Sequence, residues 1–387
     1  MGDAPSTAIS DDATMGLPTL LSPLSTDKIS FANRVVMAPM ARNYAPNFVP
    51  DEKLAAYYAR RAEHGVGLII TEASFIDHPV ANGYKGAPAI FGEEALAGYQ
   101  TVVERVHAHR GKIFCQLWHM GAERPDGGIP NPELPSVSPS GILAPGIHRG
   151  KALDLAEIAE VQASYARAAA NARRVGFDGV EIHGAHGYLI DAFLSEATNR
   201  RTDAYGGSFE KRLRFAVEVI EQVREAVGED FPISFRTSQW KSQDYGAKIY
   251  HGPGELETAL SAFVQAGIDI IHCSTRRFWE PEFEGSDLSL AAWSRKVSGK
   301  PVIAVGSVTL HGDFTQFETQ GIGPRGMAGS RPTANLDRVE QALERGDFDL
   351  IAVGRAMLAN PDWLTRVRAS EVSQIAAFSR DHIKVLF

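Results

Sequence analysis

Eight short apolar runs, each separated from the next by a longer stretch, constrain this chain more than any other feature. They fall at Arg34–Met40, Val66–Ala73, Lys112–Trp118, Gly179–His183, Pro232–Thr237, Ile268–Cys273, Pro301–Val308 and Leu350–Ala356. Each is nearly continuous in apolar residues, many of them β-branched, as expected of a strand buried on both faces. The stretches between them carry helical period. Over 154–176, Leu155, Ile158, Val161, Tyr165, Ala168, Ala172 and Val175 recur at helical spacing. Asp154 followed by Glu157 predicts a capping box, and Gly176 is placed to stop the helix. Phe209, Leu213, Ala216, Val217, Ile220 and Val223 form a second stripe before Gly228. About eight βα units in succession predict an α/β fold, a single closed (β/α)8 TIM barrel. An open doubly wound sheet would place a glycine-rich phosphate loop after its first strand. Met37-Ala38-Pro39-Met40-Ala41 stands there instead.

Two connections are irregular. Residues 121–151, after the third strand, hold six prolines and no helical period, and 277–287 follow the sixth strand. Both inserts fall at the C-terminal face of the barrel, where active sites are built. A flexible arm over residues 1–19 and a barrel over 20–387 are therefore expected. The arm lacks the basic and apolar regions of a secretory signal, and no stretch reaches the ~18 apolar residues of a membrane span. A cytoplasmic protein with no membrane partner is expected. Net charge of −8 argues against a nucleic-acid partner, and two cysteines can build neither a disulfide framework nor an iron–sulfur site.

Candidate chemistry lies at the C-terminal strand ends. The fourth strand runs into His183-Gly-Ala-His186-Gly-Tyr188. Taken alone, this cluster admits local packing, a metal site completed by His119 or His272, or a pair of imidazole donors for a substrate oxyanion with Tyr188 as acid. The other strand ends narrow the choice. Gln116 and Trp118 end the third strand, and Arg236 sits in the fifth, where a guanidinium is costly unless it faces an anion. Gly306-Ser307 and Gly354-Arg355 close the seventh and eighth strands, where barrels often bind phosphate. A phosphate anchor, an amide and guanidinium for a planar ring, and oxyanion donors above it together fit flavin mononucleotide, FMN, with no metal.

From Leu20 to about Arg368 the chain resembles the old yellow enzyme family of FMN-dependent ene-reductases. The matching stretches include Leu20–Asn33, Met37–Met40, Gln116–Trp118, His183–Tyr188 with Leu194, Asn199–Ser208, and Gly354-Arg355 running into Ala359–Asp362. The resemblance implies non-covalent FMN, reduced by NADH or NADPH. It places Pro39, Met40, Ala41 and Ala73 at the flavin edge, Gln116 and Arg236 at its pyrimidine side, and Gly306, Ser307, Gly354 and Arg355 at its phosphate. It implies hydride transfer through flavin N5 to the β-carbon of an α,β-unsaturated carbonyl compound. His183 and His186 would hold the carbonyl oxygen beside Trp118, and Tyr188 would protonate the α-carbon. An oxidative FMN-dependent dehydrogenase or demethylase of the same fold and, at lower weight, a metal-dependent barrel hydrolase are the alternatives. A non-catalytic flavin-binding protein is a third. One residue departs from the pattern: the family usually carries Thr or Cys where this chain has Ala41.

Overall fold

The computed structural model describes residues 16–309 and 335–387. Eight parallel strands close into a barrel: β1 (Val35–Met37), β2 (Leu68–Phe75), β3 (Ile113–Trp118), β4 (Gly179–His186), β5 (Ile233–Lys241), β6 (Ile270–Ser274), β7 (Val302–Val305) and β8 (Leu350–Val353). They pair in chain order, and β8 closes on β1 through Val353 and Met37. Among the described residues, the longer helices between successive strands are α1 (Glu52–Glu63), α2 (Glu93–Ala108), α3 (Leu155–Arg174), α4 (Phe209–Val227), α5 (Pro253–Ala266), α6 (Leu290–Ser298) and α7 (Leu336–Arg345). A last helix, α8 (Trp363–Arg368), follows β8. None of the described helices is long and apolar enough to cross a membrane.

The terminators act as expected. Asp154 accepts from the Glu157 amide while the Glu157 side chain accepts from that of Asp154, completing the capping box of α3. Beyond α3, Gly176 takes φ +95°, and Gly228 caps α4 at φ +69°. These conformations favour glycine.

The barrel has two cores. Outward strand residues pack under the helices, whereas Val36, Leu68, Phe114, Ile270, Ile303 and Leu350 fill the interior. A hairpin of Leu24–Ser25 with Ser30–Phe31 closes the N-terminal end, where Ile29 and Phe31 join the interior cluster. Phe31 is 1% exposed, and truncating such a plug to Ala costs about 3–5 kcal/mol.

Some boundaries differ from those read off the sequence. β4 and β5 outrun the expected ends at His183 and Thr237, because the two strands stay paired as far as His186 opposite Lys241. β7 stops at Val305 rather than Val308: Gly306 and Ser307 leave the sheet at φ +152° and +50°. β8 ends at Val353 rather than Ala356, where Gly354 breaks the strand conformation and a short helix begins at Arg355. Residues 1–15 of the expected arm lie outside the described residues. Leu17 and Leu20 are buried, and the amides of Thr19 and Leu20 donate to the Glu340 carboxylate at 2.6 and 2.9 Å, so this end is packed.

Candidate active site

Strand alternation builds the site in layers, since every second side chain points inward. Above the apolar interior, two residues further along β3 and β6 from Phe114 and Ile270, come Gln116 and His272. With Glu181 of β4 and Ser234 of β5 they meet around one carboxylate. Gln116 Nε2 donates to Glu181 Oε1 at 2.8 Å, Ser234 Oγ to Oε2 at 3.1 Å, and His272 Nδ1 bonds Oε2 at 2.7 Å. None of the four is more than 2% exposed. Burial disfavours the charge on Glu181, but His272, Arg236 and the Gln116 amide outweigh it and hold the carboxyl at about 2. His272, one candidate metal ligand, is committed to this carboxylate. His119, the other, bonds His78 at 2.9 Å.

A further two residues along the same strands stand Trp118, His183, Arg236 and Ser274, and here the barrel opens into a cavity of about 640 Å³. Arg236 Nη2 donates to Ser274 Oγ at 3.3 Å, and Ser274 Oγ bonds His186 Nε2 at 2.8 Å. Arg236 Nε is buried without a protein partner, a donor in want of an acceptor.

His186 and Tyr188 owe their position to a break at the end of β4. The register shifts between Gly184 and His186, and His186 adopts φ +67°, followed by Gly187 at +87°. The His186 amide donates to Ser238 Oγ at 3.0 Å, while Ser242 donates its amide and hydroxyl to the His186 carbonyl at 3.1 and 3.0 Å. A left-handed histidine persists because these bonds over-determine it. Ring centroids of His183 lie 5.0 Å from those of both His186 and Tyr188. Trp118 meets Tyr188 edge-on at 5.2 Å, and Trp240 stacks on His186 at 4.2 Å.

Both imidazoles are neutral. Burial, and then the Arg236 charge, bring His183 to about 3 and His186 well below its usual value. His183 Nδ1 accepts from the Ala185 amide at 3.3 Å, which leaves the ring proton on Nε2. Burial, reinforced by Tyr84 and Glu123, raises the Tyr188 phenol above its ordinary range, so it keeps its proton.

At the other end, Pro39, Met40, Ala41, Ala73, Gly306, Ser307, Gly354 and Arg355 line the same cavity. Gly306 lies so close to the next loop that a Cβ would come within 2.7 Å of the Thr275 carbonyl, and Ser307 Oγ donates to the Arg276 carbonyl at 2.8 Å. All the residues assigned to the flavin and the substrate in the sequence thus surround one cavity, whereas His119 and His272 do not line it. Those missed include Glu72, Tyr84, Glu123, Trp240, Tyr245 and Ser274. Ser274 was within reach, as the inward position two beyond His272; Trp240 required knowing that β5 continues to Lys241. The 121–151 insert contributes Glu123, whereas Phe278 of the 277–287 insert is buried and packs on Trp279 and Phe348.

The donors fit FMN: a glycine-lined end with a guanidinium for phosphate, and an amide beside an unsatisfied guanidinium for a flavin pyrimidine. Comparison with known proteins agrees. Residues 19–323 match the model of the NADH:flavin oxidoreductase / NADH oxidase family. An NADH oxidase of Thermoanaerobacter brockii is 34% identical over 370 residues, 92% of this chain, which spans 52% of that protein's length. A putative 12-oxophytodienoate reductase 11 of Oryza sativa subsp. japonica is 40% identical over 357 residues, covering 89% of this chain and 88% of that one. The solved old yellow enzyme homologue of Zymomonas mobilis superposes with a TM-score of 0.76 at 30% identity, over 95% of this chain and 96% of that one. With its barrel closed and its flavin-type donors gathered at one mouth, this chain belongs to the NADH:flavin oxidoreductase family of old yellow enzymes and is an NAD(P)H-dependent FMN oxidoreductase.

Proposed function

We propose that this enzyme is an ene-reductase for α,β-unsaturated carbonyl compounds. The observation that carries the reading is the trio of His183, His186 and Tyr188, two neutral imidazoles and a protonated phenol with ring centroids 5.0–6.5 Å apart at the cavity mouth. The relative named as a 12-oxophytodienoate reductase is in keeping with that class. Pro39, Met40, Ala41 and Ala73 would hold the FMN edge, Gln116 and Arg236 its pyrimidine, and Gly306, Ser307, Gly354 and Arg355 its phosphate. Bound FMN supplies the redox chemistry, taking hydride from NADH or NADPH and giving it to the β-carbon of the alkene.

The side chains do the rest. His183 donates through Nε2 to the substrate carbonyl oxygen, and His186 supplies the second donor once Ser274 Oγ donates to its Nε2 and leaves the proton on Nδ1. Neutral donors polarise the carbonyl without giving up a proton, and their bonds strengthen as negative charge collects on oxygen. One such donor is worth about 10²–10³ in rate. Trp118 flanks Tyr188 and holds its ring edge-on, so the phenol keeps a single approach to the α-carbon.

The test is spectroscopic and kinetic. The protein should purify yellow or take up one FMN per chain, and phenolate ligands should give a long-wavelength charge-transfer band. His183→Ala with His186→Ala should abolish that band and greatly slow enone reduction with FMN still bound. A colourless chain that cannot be loaded sinks the cofactor site, and a band that survives the double substitution sinks the oxyanion clamp.

A further inference from the structure

The carboxylate beneath the cavity has no part in the chemistry above, yet of the two groups assigned to the flavin pyrimidine Gln116 bonds it directly and Arg236 stands on the adjacent strand. A carboxylate can only accept, so the Gln116 group bonded to Glu181 must be its amide nitrogen. That leaves Gln116 Oε1 for the cavity, an acceptor suited to the imide N–H of a flavin. Arg236 is on the strand next to Glu181, itself 6% exposed and with Nε buried and unpartnered. Among the charges that act on Arg236, Glu181 is the leading favourable one, against the cost of burial. Ser234 and His272 occupy the other carboxylate oxygen and prevent it from turning away.

We propose that Glu181 is a positioning residue of the flavin site. Its carboxylate fixes the Gln116 amide with the carbonyl oxygen toward the cavity and serves as the counter-ion of Arg236, which tempers the positive field on the flavin. The inference rests on the assignment of Gln116 and Arg236 to the pyrimidine. A flavin ring gains negative charge on reduction, so a nearby carboxylate makes reduction harder and its removal makes reduction easier.

The experiment measures two quantities in wild type, Glu181→Gln and Glu181→Asp: the potential of the FMN-loaded protein by dye equilibration, and the affinity of apo-protein for FMN by fluorescence. Glu181→Gln should shift the reduction equilibrium about tenfold toward the reduced form, ~30 mV more positive for a two-electron couple. Glu181→Asp keeps the charge but shortens the reach to Gln116. It should hold the wild-type potential while binding FMN severalfold more weakly. An unchanged or more negative potential in FMN-loaded Glu181→Gln overturns the counter-ion role. Full wild-type affinity in Glu181→Asp overturns the role in fixing the amide, even if Glu181→Gln fails to fold. Failure of the underlying site assignment looks different: Gln116→Leu and Arg236→Leu would then leave FMN affinity untouched.

Discussion

His186 and Trp240 lie face to face, their ring centroids 4.2 Å apart and their planes inclined by 25°. Trp240 is itself anchored by a bond from Nε1 to the Ser274 carbonyl at 3.1 Å, so it forms a fixed wall behind the imidazole. Aromatic pairs contribute about 0.5–1.5 kcal/mol beyond burial. Trp240→Ala should therefore weaken phenolate binding by roughly twofold to tenfold, since 1.4 kcal/mol is a factor of ten, with FMN retained. Trp240→Phe should recover most of the loss. Equal affinity in all three proteins would show that the stack does not orient His186.

Tyr188 is separable from the histidines by half-reaction. Reduction of the flavin by NAD(P)H requires no proton on carbon, so Tyr188→Phe should leave it nearly intact. Enone reduction should fall by roughly 10²–10⁴, the usual share of a general acid. Stopped-flow measurement of both half-reactions decides the matter, and parallel losses would make Tyr188 structural.

Ala41 raises a question of flavin potential. The two amides that follow it, of Arg42 and Asn43, already donate to Glu72 Oε2 at 2.7 and 2.8 Å, so neither is spare to replace the missing side-chain donor. Ala41→Thr should raise the potential by tens of millivolts, because a bond to a charge-bearing acceptor is worth ~1.5–3 kcal/mol and 30 mV is about 1.4 kcal/mol. Reduction by NAD(P)H should quicken and reoxidation slow. An unchanged potential by dye titration would mean another donor already serves that atom.

Glu72 predicts a pH dependence of stability. Burial raises its carboxyl to about 7, against the ordinary 4.5, despite the amides of Asn43 and Arg42. The unfolded chain then releases this proton at lower pH than the folded one. The contribution is fully present below pH ~4.5 and is lost as pH rises through ~7, by roughly 3 kcal/mol at one pKa unit per 1.36 kcal/mol. Glu72→Gln keeps an acceptor for the two amides but cannot ionise. Its stability relative to wild type should increase between pH 5 and pH 8, as read by thermal unfolding. A difference that does not change with pH would show that Glu72 ionises as freely when folded as when unfolded.

The barrel itself was legible because a parallel strand buried on both faces must be apolar almost throughout, and eight such runs stand out from the amphipathic helices. Capping at Asp154 and termination at Gly176 and Gly228 were legible for a similar reason: local backbone geometry admits few residue types there. Gln116, Arg236 and the His183–Tyr188 cluster announced themselves as polar groups at strand ends, where burial would otherwise be costly.

What the sequence determined by itself, then, was the element order, the face of the barrel that bears the chemistry, and the residues most expensive to bury. Only the tertiary structure decided how they combine. Glu181, Ser234 and His272 are 38–91 residues apart; singly, the first two read as unremarkable strand positions and His272 only as a candidate metal ligand, and closure of the barrel puts Ser234 and His272 on the Glu181 carboxylate. The left-handed turn at His186 likewise depends on Ser238 and Ser242 from the neighbouring strand and its loop. Period-two alternation tells which side chains point inward, but the height at which each meets the others is set by register and stagger between strands, and those belong to the closed barrel rather than to any one segment.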